Sequence, residues 1–483
     1  MPTAIIARRL VAVTFAGLAS LLASAQTSTV PASNTDNAAP AVWRAASRLG
    51  YAPTPDQAAA SAPRTWALNQ IDVAYLASQQ PAAIPPELAR INAPLDEIAR
   101  DFQAEREDRK KLRTQLVSDE AGKLPFSAAM PDAQAFSREM AQSAAAWRVM
   151  SCSDPAMETP LLARMTEFWF NHLNVFVGKG TVRPFVGNYV VNVIRPNALG
   201  RFEDLLLASA RHPAMLFYLD QVQSNSRGLN ENYARELMEL HTLGVNGGYT
   251  QNDVHELSRI LSGWTVNLRG GEGFRFVERL HDKGDKMFLG RSYSNLGVKE
   301  GEDAIRFLAR QPATAHRIAE RLATFFVADK PAAALVDRLS KTFLASQGDI
   351  RVVMRTLVAS PEFWAADNQL FKTPMDFACS ALTAAGGVKE RRDIVQALDF
   401  LTQAGQPMHG WQTPDGYKTD AVTWLAPEAL TRRADFAMSL ARRSPEPVYL
   451  NAFLSAATRE RIAREPLEMR TGLMLASPDF MRK

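Results

Sequence analysis

The chain has 483 residues and carries 55 Lys and Arg against 51 Asp and Glu, a formal charge of +4 to which Arg8 and Arg9 contribute half. That near balance gives no basic footprint for nucleic acid or anionic lipid, and the length suffices to bury a large core in one domain or two lobes. Only two cysteines occur, Cys152 and Cys379; they cannot be the main staple of a chain this size, and spacing alone leaves open whether they meet.

Arg8 and Arg9 precede an apolar stretch from Leu10 to Leu22, and Ala23, Ser24 and Ala25 follow as a small-residue cleavage site. Residues 1–25 therefore read as a signal peptide cut after Ala25. The apolar run is shorter than a bilayer span requires. No cysteine follows the cut to make a lipoprotein, and the residues flanking the arginine pair favour the general secretory route over the twin-arginine one. The mature chain is expected to start at Gln26 and to be periplasmic or secreted, in a compartment that permits a disulfide. Residues 26–40, polar and proline-bearing, read as a flexible linker. Residues 41–483 read as a helical domain.

From Ala41 onward the apolar spacing is helical almost throughout. A short helix stops at Gly50, and a second starts near Thr54 with Asp56 in its first turn. Residues 95–116 are charged with sparse apolar positions, as on a solvated helix laced with i,i+4 pairs. Residues 137–150 and 160–171 read as buried amphipathic helices. Residues 198–219 read as one helix or as two divided at Pro213, because proline suits a fresh first turn. A helix over 230–243 ends at Gly244, and another runs from Asn252 to Leu261. Residues 270–293 change character: two apolar runs, FRF and KMFLG, flank a polar turn and predict one β-hairpin. Helices over 302–310, 313–326, 332–344 and 350–359 follow. A turn-rich loop covers 405–420, and the last helices cover 427–443 and 458–476. The expected fold is mainly α, a large multi-helix domain with a minor β-hairpin.

Five of the seven histidines fall between His172 and His281, and NENYARELMELHTLGVNGGYTQNDVHELSRILSGW spans Asn230 to Trp264. At about 100° per residue, Asn232, Glu236 and Glu239 lie within roughly 60° of one another on the 230–243 helix, with Arg235 on one flank and His241 on the far side. This is not an HExxH or ExxH ligand helix, whose partners sit at i,i+4 or i,i+3. One reading brings Glu236 and Glu239 to His172, with His281 and Asp282 nearby. Such a set suits zinc, iron or manganese, or acid–base work without a metal. Asn232 and Arg235 would then orient the carboxylates. The other reading is structural: Glu239 pairs with Arg235, Glu236 with another arginine, and Asn232 caps a turn. Asn171 and Asn174 beside His172 point to a shared polar network, and an Asp282 carboxylate could fix the tautomer of His281. His212 reads as a helix-start residue and His255 as an exposed or paired one; His316 and His409 read as background. Trp411, in the 405–420 loop, could belong to a carbohydrate- or envelope-binding surface, although scattered tryptophans are usually core. The chain has no phosphate loop, no GxSxG elbow and no CxxC or CxxCH.

Several blocks occur in order: RLGYAPTP (48–55), FWFNHLNVF (168–176), IRPNALGRFEDLLLASARHPAMLFYLD (194–220), the 230–264 block, HDKGDKMFLG (281–290), HRIAERLATFFVAD (316–329), SPEFW (360–364) and KTPMDF (372–377). Together they closely resemble the bacterial family catalogued as domain of unknown function 1800. The resemblance implies a large, often exported protein. It also implies genes that often neighbour those of an exported family with an alkaline-phosphatase-like fold, a candidate partner. It assigns no reaction. Three expectations follow: an enzyme with a carboxylate–histidine site, with or without a divalent metal; a binding or assembly factor; or a carbohydrate-binding module.

Overall fold

Helix starts in this chain are written locally, by proline and by short polar caps. Proline occupies the first turn of the helices Pro63–Ser78, Pro160–His172, Pro213–Tyr218, Pro312–Phe326, Pro374–Ala384 and Pro427–Ala441, where its missing N–H costs no hydrogen bond. Thr250 and Thr373 close capping boxes with Asp253 and Asp376, satisfying donors that the first turn leaves free. The computed structural model describes residues 38–58, 62–118, 134–268, 273–444 and 446–483. The expected signal peptide and nearly all of the linker lie outside the described residues.

The described chain is mainly α, with two small two-stranded sheets, and residues from Asn37 onward form one unit. No described helix is long and apolar enough to cross a membrane. Two apolar clusters form the interior. The larger runs from Ala45 to Phe363 and buries Trp147, Trp169 and Trp264. The smaller gathers Phe377, Phe400, Phe436 and Phe480 of the C-terminal helices around Tyr51, Val149 and Cys152. A disulfide between Cys152 and Cys379, with Cα atoms 5.6 Å apart, ties helix Ala135–Ser153 to helix Pro374–Ala384.

Buried polar clasps join segments distant in sequence. Arg164 meets Asp376, which also meets Lys483. The Arg164 guanidinium lies over the rings of Tyr51 and Phe325, at 4.9 and 4.4 Å. Arg48 donates to the carbonyls of Phe363 (2.7 Å) and Asn368, and Ser380 donates to the carbonyl of Tyr51. Arg195 clasps Glu158, and the Trp169 indole donates to the carbonyl of Ala198 at 2.8 Å. Many of the sequence blocks that mark the chain are thus the contact points of its own architecture.

Three sequence expectations need correction. FRF and KMFLG do not pair with each other. Trp264–Val266 pairs antiparallel with Phe274–Phe276, and Lys286–Phe288 pairs with Arg291–Tyr293. The partner of FRF is WTV at 264–266, a segment that the sequence reading assigned to no element. The last helix is two, Ala456–Ala463 and Leu467–Leu475, because Pro466 cannot continue the first. The helix expected over 230–243 is α only over Glu231–Glu236 and widens to a π turn over Leu237–His241. The Thr242 hydroxyl donates to the Leu237 carbonyl at 2.6 Å, and the Gly244 N–H reaches the Met238 carbonyl at 3.2 Å. By contrast, the division at Pro213 occurs, and His212 caps the second helix: its Nδ1 accepts from the Ala214 N–H at 3.1 Å.

Candidate functional site

The π turn decides where the predicted residues go. An inserted residue rotates everything after it relative to a regular helix, and such turns recur at functional sites. Here it carries His241 into the core beside His172, with ring centroids 6.3 Å apart. His172 Nε2 lies 3.0 Å from the His241 carbonyl. A carbonyl only accepts, so the His172 proton sits on Nε2, and Nδ1 is left as a buried acceptor without a partner. Burial, then the charges of Arg321 and Arg317, hold the His172 pKa well below the usual histidine range. The same causes push His241 down to about 3. Both rings are neutral.

These facts decide the metal question for this donor set. Among the described residues no three His, Cys, Asp or Glu side chains form a group able to hold a metal ion. His172 spends Nε2 on a backbone carbonyl, and two guanidiniums act on the imidazoles, a field that repels a cation. His172, Glu236 and Glu239 do not fit a divalent metal centre.

Glu236 and Glu239 do stay close. Glu239 faces Arg235 at 3.5 Å, and Arg235 also reaches Glu231 at 3.4 Å and Gln251 at 2.8 Å. Arg235 therefore belongs to a half-exposed ion-pair chain on the outer face. Asn232 is exposed; its amide donates to the Leu219 carbonyl at 3.3 Å. Glu236 is half-buried and forms no hydrogen bond or ion pair among the described residues. Its carboxyl is pushed up by burial, then by Glu239, with Asp415 adding to this and Arg235 opposing it.

His281 and Asp282 lie apart from this cluster and from each other's chemistry. His281 Nδ1 meets the Ser262 carbonyl at 2.9 Å, and its Nε2 faces Glu300 at 3.4 Å. Glu300 is also held by buried Lys286 at 2.8 Å. The Asp282 carboxylate grips Arg259 at 3.0 and 3.1 Å instead of fixing the His281 ring. This pair anchors the second small sheet.

The two asparagines staple the 405–420 loop. The Asn171 amide donates to the Tyr417 carbonyl at 3.0 Å and accepts from the Tyr417 N–H at 2.7 Å. Asn174 donates to the carbonyls of Trp411 and Thr413 at 3.0 and 2.9 Å. Gly416 makes this possible. Its φ is +74°, and a Cβ there would strike the Asn171 carbonyl and side chain. Gly416→Ala is expected to cost about 1–3 kcal/mol through left-handed strain and that clash. The loop would also become a protease target, and a melting temperature and digestion pattern equal to wild type would rule this out.

Held this way, the loop forms one wall of two cavities that share Asn171 and Tyr417. The inner cavity, about 30 Å³, is lined by Arg148, Glu167, Phe170, His409, Trp411 and others. Arg148 pairs with Glu167, which accepts from the Tyr417 hydroxyl. His409 is buried, has φ +55°, and neither ring nitrogen has a hydrogen-bond partner among the described residues. The sequence reading treated His409 as background; its one local signal is its place in a turn-rich run. Trp411, the proposed carbohydrate-binding residue, donates to Thr413 at 3.0 Å and sits edge-on to Tyr417. Trp424, itself largely buried, lines a further cavity together with Trp411.

The outer cavity is a groove of about 480 Å³ between helix Pro312–Phe326 and the loop, a volume typical of small-molecule sites. Arg317 and Arg321, one turn apart on one helix face, line it with Asp329, Asp415 and Tyr417. Arg317 Nε donates to the Leu240 carbonyl at the end of the π turn, at 3.0 Å. These arginines were not singled out in the sequence, although HRIAERLATFFVAD contains both.

The fold and groove define a mainly α protein with a loop-walled, small-molecule-sized site between its helices. Residues 44–482 match the family described as Protein of unknown function (DUF1800), and the chain belongs to that family. Neither the curated proteins nor the solved structures give a match.

Proposed function

We propose that this protein is an exported, metal-independent acid–base enzyme acting on a small molecule held in the outer groove, with Glu236 as general acid. The observation that carries this reading is Glu236 itself. Its half-buried carboxyl has no hydrogen-bond or ion-pair partner among the described residues and is raised by burial and by Glu239 and Asp415; Glu236 does not itself line the groove, and Asp415, which does, links the two. A carboxyl raised by burial beside other carboxylates is a recurring general-acid arrangement. Export through cleavage after Ala25 is supported by the Cys152–Cys379 bridge, since disulfides persist in oxidising compartments.

The test is turnover of a panel of aryl glycosides and aryl esters between pH 4 and 8 by mature protein and by Glu236→Gln. Loss of a positioned acid should lower kcat by about 10²–10⁴. Activity should fall as pH rises through the raised Glu236 pKa. The stability effect has the opposite sense from that of a structural ion pair. The folded state binds more protons than the unfolded chain between the ordinary and raised values, so stability drops as pH rises across that window. Glu236→Gln removes the penalty and should leave the melting temperature at pH 7 level or higher. Turnover indifferent to Glu236, or a collapse in melting temperature, would overturn the reading.

A further inference from the structure

We propose that the outer groove binds a sugar acid of the uronate class, its single carboxylate on Arg317 and Arg321 and its hydroxyls on Asp329. This deepens the preceding reading and rests on the same groove. The first ground is a pair of half-buried arginines that no carboxylate clasps among the described residues. Of the fully buried arginines, Arg148, Arg164 and Arg195 are each clasped by a carboxylate, and Arg48 and Arg433 are held by backbone carbonyls. Arg321 has no hydrogen bond or ion pair among the described residues, and Arg317 uses only Nε, on a carbonyl. A desolvated guanidinium without a counter-charge is costly, and its planar fork matches a carboxylate. Burial, then repulsion from Arg317, already pushes Arg321 down to about 10.

The second ground is the charge of the whole lining. Three cations, Arg317, Arg321 and Lys418, face four anions, Glu320, Asp329, Asp415 and Asp420. That lining carries one net negative charge, which opposes every anion and a dianionic phosphate or sulfate more than a single carboxylate, so a ligand has to place its one charge on the two-arginine face. The third ground is Asp329. Its Oδ2 accepts from the Ala421 N–H at 2.9 Å, while Oδ1 is buried and has no hydrogen-bond partner among the described residues. A buried lone acceptor calls for a donor, and a hydroxyl next to the carboxylate-bearing ring supplies one. Phe168, Phe325 and Tyr417 complete the lining and offer apolar surface for a sugar ring.

The experiment is calorimetric titration of mature wild-type, Arg321→Gln, Arg321→Lys and Asp329→Asn proteins at fixed ionic strength. The probes are D-glucuronate, D-glucose, L-alanine and inorganic phosphate, with each variant checked for a wild-type circular-dichroism spectrum. D-glucuronate should bind wild type, and Arg321→Gln should weaken it by at least about tenfold, the loss of a charge-assisted bidentate contact. Arg321→Lys keeps the charge without the fork and should fall between; Asp329→Asn should also weaken binding. D-glucose and phosphate should bind far more weakly. Absence of D-glucuronate binding, equal binding by D-glucose or phosphate, preference for L-alanine, or indifference of a folded Arg321 variant would each overturn the inference. Binding is read without turnover. A protein that binds D-glucuronate but shows no Glu236-dependent turnover overturns the acid–base proposal and leaves this one standing.

Discussion

Asp376→Ala is expected to lower the stability by about 3–5 kcal/mol, the cost of leaving buried charge without its partner. Asp376 is buried, and its carboxylate meets both Arg164 and Lys483. It also closes the capping box with Thr373 at the start of helix Pro374–Ala384. Burial alone would raise its pKa; the charges of Arg164 and Lys483 prevail and hold it well below the usual carboxylate range. For a depressed carboxyl the stabilisation is fully present above the unfolded value, about 3.9, and is lost as pH falls through the folded one. Urea unfolding from pH 7 to pH 2 should therefore show the wild type losing its advantage over Asp376→Ala in acid. A deficit at pH 7 below about 1 kcal/mol, the worth of an exposed pair, would show that the clasp is not structural.

The double variant Cys152→Ala, Cys379→Ala should lose about 5 kcal/mol if the bridge acts by restricting the unfolded chain. The two cysteines are 227 residues apart, so the closed loop spans nearly half the protein, and closure entropy grows with loop length. The bridge also joins elements that otherwise meet through the smaller apolar cluster. Urea unfolding of the oxidised protein against the double variant measures the effect. Alkylation of two thiols in unreduced protein from an oxidising compartment would show that the bridge does not form there.

Much of the fold was legible because its signals are local. Proline at helix starts, Thr–Asp capping boxes and apolar spacing act within one or two turns. They placed most of the long helices, including the division at Pro213, but not Pro63–Ser78, Pro374–Ala384 or Arg391–Gln403. Two of the four described strands, FRF and KMF, were found but mispaired, since pairing depends on which segments meet, and WTV and FRF carry no mark of each other. The π turn at Leu237–His241 was invisible for a related reason. Its hydrogen bonds, from the Thr242 hydroxyl to Leu237 and from Gly244 to Met238, arise from how the helix end packs.

The candidate site shows the same division. Sequence located the polar cluster and brought Glu236 and Glu239 to one face by helical geometry alone. It could not show that His172 turns to the His241 carbonyl, that Asp282 serves Arg259, or that Asn171 and Asn174 fasten a loop some 240 residues later. Nor could it single out Arg317 and Arg321, because an arginine on an amphipathic helix reads as solvated until its surroundings are known.

By itself, then, the sequence determined the helical class, the expected export signal, the family and the residues rich in chemistry, all properties carried by short-range pattern and composition. The tertiary structure alone decided that Cys152 meets Cys379, that the donor set does not form a metal centre, and that a loop and a helix enclose a groove with two arginines facing it. Those outcomes depend on burial and on the approach of distant segments, which fix charge partners and desolvation and have no counterpart in the order of residues along the chain.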